Sequence, residues 1–247
     1  MLEVRALTVP GRLNDVTLAL RPGEVTAICG PNGAGKSTLL AALAGLEKNA
    51  AGAWLDGHPL AALPPRGRAC AIGYLPQDGT AAWNVSVKTL AGLGRLPRRT
   101  GTAEDAAAVA HALAVLDLES FAERAVHTLS GGERARALLA RVTAGQPRWI
   151  LADEPLAALD LAHQLALLAQ FRGLAVQGAG PGTGVVLVLH DLAQAMNHAG
   201  RVVVLKDGAV AADGPPESAL AESVIARVWG VRARWLGEPG ARALAAG

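Results

Sequence analysis

Gly30-Pro31-Asn32-Gly33-Ala34-Gly35-Lys36-Ser37-Thr38 (GPNGAGKST) follows an apolar run, Val25 to Cys29, and opens a helical run, Leu39 to Leu46. Strand, glycine-rich turn and helix start, in that order, spell a phosphate-binding loop. Gly30, Gly33 and Gly35 let the backbone approach a ligand closely and take conformations that a side chain forbids. Successive N–H groups then converge on an anion at the positive end of a helix. Lys36 adds a point charge on the terminal phosphates, and the Ser37 hydroxyl is placed for Mg²⁺. A glycine-rich turn with an incidental Lys-Ser would need neither the flanking strand nor the helix. The stretch implies binding of a nucleoside triphosphate.

The 247 residues suit one large domain or two small ones and can bury a sizeable core. Half the chain is hydrophobic, yet no run approaches the roughly 18 to 20 unbroken apolar residues of a membrane helix. The start MLEVRAL has no basic segment leading into an apolar core, so no signal peptide is expected. Two cysteines, Cys29 and Cys70, lie in or beside strands without metal-type spacing and read as small core residues of a reducing cytosol. A net charge of +2, no basic stripe and few aromatics give no sign of a nucleic-acid partner.

Leu2 to Leu7 and Asp15 to Leu20 alternate in the strand manner, and Arg21-Pro22-Gly23 turns the chain toward Val25. Ala53 to Leu55 with Asp56-Gly57 reads as a further short antiparallel element, and Ala71 to Leu75 as a buried strand ending at Pro76-Gln77. Val85 to Leu93, Ala103 to Leu116 and Ser130 to Ala144 then have helical spacing with no strand between them. Asp78 to about Gln146 is therefore expected as a helical insertion in an α/β core. After it come a strand (Trp149 to Ala152), a helix (Ala162 to Val176), a strand (Val185 to Leu189) and a helix (Leu192 to Ala199). Val202 to Val210 reads as a hairpin turning at Asp207-Gly208, and Trp229 and Trp235 as packing anchors of a last helix and strand. Gln177 to Gly184 (QGAGPGTG) reads as a flexible surface connection, and there are no internal repeats. Strands alternating with helices predict a mainly parallel sheet with ligands at the carboxyl ends of its strands.

Trp149 to Glu154 (WILADE) is an apolar strand ending in two carboxylates, which must emerge at its end because a charge is not kept in a buried middle. There Asp153 can hold the shell of Mg²⁺ and Glu154 can polarise an attacking water, a base contribution on the order of 10² to 10⁴ in rate. Alone, the pair would equally suit a helix start; behind a phosphate loop the chemical reading prevails. Leu129-Ser130-Gly131-Gly132-Glu133 precedes a helical run, so Ser130 can cap the helix while two glycines expose N–H groups. It is a second anion site, far in sequence from the first.

In this order the motifs resemble those of the ATPase subunits of ABC transporters, over essentially the whole chain. GPNGAGKST looks like their phosphate loop, LSGGE like their signature and ILADEP like their acidic strand. Gln77 matches the glutamine after the third core strand, Leu159-Asp160 the aspartate loop, and His190-Asp191 the switch histidine. The resemblance implies an α/β fold: a RecA-like core with a mainly parallel sheet (1–77 and 147–247), an N-terminal antiparallel β part and an inserted helical signature subdomain (78–146). It implies ATP hydrolysis with Mg²⁺ in a head-to-tail dimer. Gly30, Asn32, Gly33, Ala34, Gly35, Lys36, Ser37 and Thr38 of one copy, and Ser130, Gly131, Gly132 and Glu133 of the other, would hold each ATP, with Asp160 at the dimer contact. Ser37, Gln77 and Asp153 would serve the metal, and Glu154, His190 and Gln77 the reaction. The implied partners are a polytopic membrane permease dimer and, indirectly, a substrate-binding protein, at the cytoplasmic side of the cell membrane. His58, His111, His127, His163 and His198 form no metal-type grouping and read as surface or structural.

Gly94-Arg95-Leu96-Pro97, Leu159 to Leu168 and Leu205 to Pro216 are similar to the importers of iron-siderophores, heme and cobalamin. One compact cassette, with neither a long coiled-coil insertion nor a tandem copy, favours transport over DNA repair, translation or iron–sulfur assembly. The three stretches favour an importer over an exporter. Two departures stand out. Val9-Pro10-Gly11-Arg12 lacks the aromatic that relatives stack on adenine, a contact worth about 1 to 3 kcal/mol per base in nucleic-acid sites. Glu133-Arg134-Ala135-Arg136 lacks the glutamine that relatives carry after the signature.

Overall fold

The computed structural model describes residues 1–47, 52–77, 84–157, 159–176 and 182–247. In chain order its first elements are β1 (Leu2–Val9), β2 (Leu13–Leu20), β3 (Val25–Cys29), α1 (Lys36–Leu43), β4 (Ala53–Leu55) and β5 (His58–Pro59). Then come α2 (Pro65–Ala71), β6 (Ile72–Leu75), α3 (Val87–Gly92), α4 (Thr102–Val115), α5 (Gly131–Ala144), β7 (Trp149–Asp153) and α6 (Leu161–Val176). The chain closes with β8 (Gly184–Val188), α7 (Leu192–His198), β9 (Arg201–Lys206), β10 (Ala209–Gly214), α8 (Pro216–Ala219), α9 (Glu222–Trp229), β11 (Ala233–Leu236) and β12 (Ala243–Ala246).

Two sheets carry the core. β2-β1-β4-β5 is antiparallel, and β10-β9-β3-β8-β7-β6 is parallel except for β10 at one edge. β3, β7 and β8 are buried at every position, as parallel strands covered on both faces must be. The turns at Asp56-Gly57 and Asp207-Gly208 put both residues at positive φ (51° and 80°, 49° and 77°), the two-residue hairpin geometry that Asp-Gly favours.

Strand alternation sorts the apolar side chains into two cores. Ala27, Cys29, Ile150, Ala152, Leu187 and Val204 face one side, where α5, α6 and α7 pack. Ile28, Leu151, Val186, Val188, Val203 and Leu205 face the other, where α1 and the antiparallel sheet pack. The phosphate-loop helix and the helix that follows LSGGE therefore cover opposite faces of one sheet. Between β6 and β7 the described residues hold helices and turns and a single bridge, Ser86 to Ala125. The expected start of this helical segment, Asp78 to Trp83, lies outside the described residues, as does most of the Gln177 to Gly184 connection.

Several elements differ from the sequence reading, among them a short helix, α8, that it did not contain. The expected strand from Ala71 begins one residue later, and Ala71 ends a helix, α2, that the reading did not contain. Pro65 stands at its first position, where the missing N–H costs nothing, but PRGRACA offers no apolar period to betray a helix. The tail forms α9 and β11 as expected and adds β12. Trp229 and Trp235 pack on the core, and Trp235 Nε1 donates to Leu220 O at 2.8 Å.

Candidate nucleotide site

The loop from β3 to α1 is built as an anion cradle. Gly30, Gly33 and Gly35 have φ of 152°, 80° and 96°. Gly30 also abuts the Leu205 carbonyl so closely that a Cβ would stand 2.3 Å from its oxygen. α1 has no side-chain cap and no acidic residue in its first turn, so its leading N–H groups remain for a ligand. Asn32, Gly33 and Ser37 are exposed, Thr38 is half-buried, and Ala34 and Gly35 are buried against the core. The Lys36 ammonium folds back on the loop, donating to Gly30 O at 2.9 Å and Pro31 O at 3.0 Å. Burial lowers its pKa, opposed by Glu154, Cys29 and Asp153.

Opposite the loop, β7 delivers its two carboxylates to different surroundings. Asp153 is 5% exposed, and Ser37 Oγ donates to its Oδ1 at 3.1 Å. Burial raises its pKa from 3.8; the Ser37 hydrogen bond opposes that rise and the Glu154 charge adds to it. Glu154 turns out of the strand at φ 47°, rare for a non-glycine residue. Its carboxylate is bracketed: Gln77 Nε2 donates to Oε2 at 2.7 Å, and His190 Nε2 lies 2.5 Å from Oε1. The ends of β6, β7 and β8 thus bring Gln77, Glu154 and His190 together, while the phosphate loop supplies Lys36 and Ser37 beside Asp153. A hydroxyl and a buried carboxylate in mutual contact are a donor set suited to Mg²⁺, which keeps waters and shares its shell with phosphates. No group of three His, Cys, Asp or Glu side chains among the described residues forms a closed metal cage.

The second candidate anion site is the start of α5. Ser130 caps α5 in a reciprocal capping box: Glu133 N donates to Ser130 Oγ at 3.3 Å, and Ser130 N to Glu133 Oε2 at 2.8 Å. The Ser130 backbone bond in particular holds the Glu133 carboxyl below its usual 4.5. Gly131 and Gly132 are the first two helical residues, whose N–H groups have no intrahelical partner. Asp160 caps α6 through the His163 N–H and leaves most of its side chain in solvent. α5 and α1 cover opposite faces of the sheet, and Gly131 at the start of α5 lines a cavity with Gln77 and Glu154.

Residues 13–157 match the family described as ABC transporter. The hemin import ATP-binding protein HmuV of Rhodococcus jostii is 45% identical over 230 residues, covering 91% of this chain and 77% of that protein. The HmuV of Myxococcus xanthus is 44% identical over 257 residues, covering 97% and 94%. The chain belongs to the ABC transporter family. It has the ATPase cassette fold of that family. The structure of cbiO1 from Clostridium perfringens, part of the ABC transporter complex cbiONQ, superposes with a TM-score of 0.80 at 27% identity, covering 92% of both chains. A bacterial ABC transporter cassette solved as a dimer superposes with a TM-score of 0.75 at 27% identity, covering 87% of this chain and 99% of that one.

In this ABC ATPase the sequence reading missed the residues that hold the site's supports. Arg95, 3% exposed, donates to Asp105 at 2.7 Å, Glu104 at 3.1 Å, Thr100 at 2.8 Å and the Ala144 carbonyl at 3.2 Å. Arg98 donates to the carbonyls of Gly145, Gln146 and Cys70. Two guanidinium groups thus cover the negative end of α5, the end opposite Ser130. Gly94 lies against the same helix, where a Cβ would stand 1.8 Å from Arg141 O. Gly-Arg-Leu-Pro was visible in the sequence as a resemblance; nothing in its spacing said what it would hold.

Proposed function

We propose that this chain is the ATP-hydrolysing subunit of an ABC importer, working as a head-to-tail dimer beneath a membrane permease and driving uptake of a metal chelate, heme above siderophore or cobalamin. The observation that carries the dimer is the placement of α1 and α5 on opposite faces of one sheet. With the two anion sites of one copy on helices of opposite faces, a second copy turned end for end would present its Ser130 helix to the first copy's Lys36 loop. The neighbour solved as a dimer and the neighbour that is part of a transporter complex support the assembly. The name shared by the two relatives favours heme. Residues 1–77 and 147–247 form the nucleotide-binding core in this reading, and 78–146 the signature subdomain. The chain sits at the cytoplasmic side of the membrane as a peripheral subunit; no helix among the described residues is long and apolar enough to cross it.

The reaction divides among residues already placed. Gly30, Asn32, Gly33, Ala34, Gly35, Lys36, Ser37 and Thr38 bind the phosphates, and the other copy's Ser130, Gly131, Gly132 and Glu133 close over the terminal one. Ser37, Asp153 and Gln77 would hold Mg²⁺, which neutralises charge developing on the phosphates. Glu154 accepts a proton from water as the water oxygen bonds to the γ-phosphorus and the bond to the β–γ bridging oxygen breaks. His190 leaves its contact with Glu154 to hydrogen-bond the γ-phosphate. Gln77 reports the state of the site to the signature subdomain.

Glu154→Gln keeps the shape and both hydrogen-bonding neighbours while removing the base. Its turnover falls by roughly 10² to 10⁴, its ATP binding is retained, and it accumulates as a dimer in Mg-ATP by light scattering. A monomer at saturating ATP would sink the dimer reading.

A further inference from the structure

The run Leu159 to Leu168 contains His163 and Gln164, which the phosphate chemistry leaves unused, and their contacts converge on one segment. The His163 backbone N–H and ring Nδ1 both reach Asp160 Oδ1, at 2.9 and 2.7 Å. The same ring lies on Gly132, so close that a Cβ at 132 would stand 2.1 Å from His163 Cδ2 and 2.5 Å from Cγ. Gln164 Nε2 donates to the carbonyls of Leu156 and Leu159 at 3.2 and 3.0 Å, the one shortly after Glu154 and the other just before Asp160. Gln164 Oε1 accepts from Gln194 Nε2 at 2.7 Å. Gln194 lies in the first turn of α7, beside its cap Asp191 and the preceding His190.

We propose that His163 and Gln164 are positioning residues that bind the start of α7, the residues Leu156, Leu159 and Asp160, and the signature end of α5 into one face for the second copy. This rests on the dimer reading above. His163 is the joint between two elements of that face: one side of its ring aims the Asp160 carboxylate, and the other seats Gly132. Gln164 fixes the backbone that carries Asp160 and ties it to the helix that follows His190. A carboxylate as exposed as that of Asp160 (67% of the side chain) would otherwise lose rotamer freedom only on dimerising; holding it beforehand removes that cost, an effect of about tenfold in association. The contacts lie wholly within one copy, so they shape the face without touching ATP.

The test uses the full chain carrying Glu154→Gln, with Mg-ATP, and reads two constants. Self-association is measured by sedimentation across protein concentration, and ATP binding by a fluorescent ATP analogue at dilutions where the chain is monomeric. His163→Ala and Gln164→Ala are each expected to weaken association about tenfold and to leave ATP binding within twofold. His163→Asn, whose amide can stand near the place of Nδ1, recovers part of the loss. In an Asp160→Ala background, His163→Ala costs less than it does alone, since the carboxylate it aims is gone and only its seat on Gly132 remains to be lost. Fully additive losses in that cycle, or unchanged association in both alanine variants, would overturn the proposal. Loss of ATP binding at dilution in both would assign the pair to folding and overturn it equally. Should the Glu154→Gln parent bind ATP yet remain monomeric, the dimer reading falls, and this inference with it.

Discussion

Asp153 and Glu154 are neighbours held in opposite ways, and the difference is testable. Asp153 is buried with one hydroxyl donor, and burial raises its pKa above 3.8. The folded chain then binds that proton more readily than the unfolded chain, so the ionised group opposes folding increasingly as pH rises from 3.8 through the folded pKa. Asp153→Asn removes the charge and keeps an acceptor for Ser37. At pH 7 without ligand its Tm should exceed that of the wild type by a few degrees (about 2–4 °C for each 1 kcal/mol in a chain of this size). The gap should close as pH falls toward 3.8, while Mg-dependent ATPase activity drops. An unchanged or lower Tm at pH 7 would mean that the neighbouring Lys36 already compensates the buried carboxylate. Glu154, by contrast, spends its strain on aim: a left-handed backbone at the strand end swings its carboxylate between Gln77 and His190.

At the scale of elements, α5 is fastened at one end and presented at the other. Arg95 holds its last carbonyl and Arg98 the two just past its end, Gly94 lets the turn lie against it, and the capping box closes its first turn. Arg98→Ala removes charged donors from three carbonyls and should lower the unfolding free energy by roughly 1.5–3 kcal/mol in urea titration. Gly94→Ala should cost at least as much, because its methyl meets backbone rather than a yielding side chain. Stability within 0.5 kcal/mol of the wild type in both would show that the α5 end is not fastened there. What the sequence revealed here follows from period and motif. The buried strands and the long helices α4, α5 and α6 carry apolar spacing, and Asp-Gly marks two hairpins, so these were legible. α2 was not, since arginine, glycine and alanine carry no period. The grip of Arg95 and Arg98, and the contact between His163 and Gly132, join residues about 30 to 50 positions apart through tertiary packing that no local pattern encodes. The candidate site was legible because strand ends bring its parts together; its supports were not.

At the scale of the molecule, ligand and stability are linked. A nucleotide that binds only the folded chain stabilises it by about 2.7 kcal/mol at a hundred times its Kd. Mg-ATP should raise the Tm of the wild type by several degrees, measured by differential scanning fluorimetry. Lys36→Ala should lose most of that rise, because the phosphates lose their nearest cation. An equal rise in both would remove the Lys36 loop from the binding site.

The two thiols divide in a useful way. Cys29 is wholly buried beneath the phosphate loop, and burial pushes its pKa up to about 12, with Lys36 opposing and Asp191 adding to the rise. Cys70 is half-buried in α2, and its carbonyl is one of the three that Arg98 holds. Thiolate is the form that attacks a maleimide, so at neutral pH a dye should enter at Cys70 alone, giving one adduct by intact mass. The unaltered chain thus carries its own single optical label on the seam where α2 meets the turn that grips α5, ready to report any sliding there when nucleotide is added.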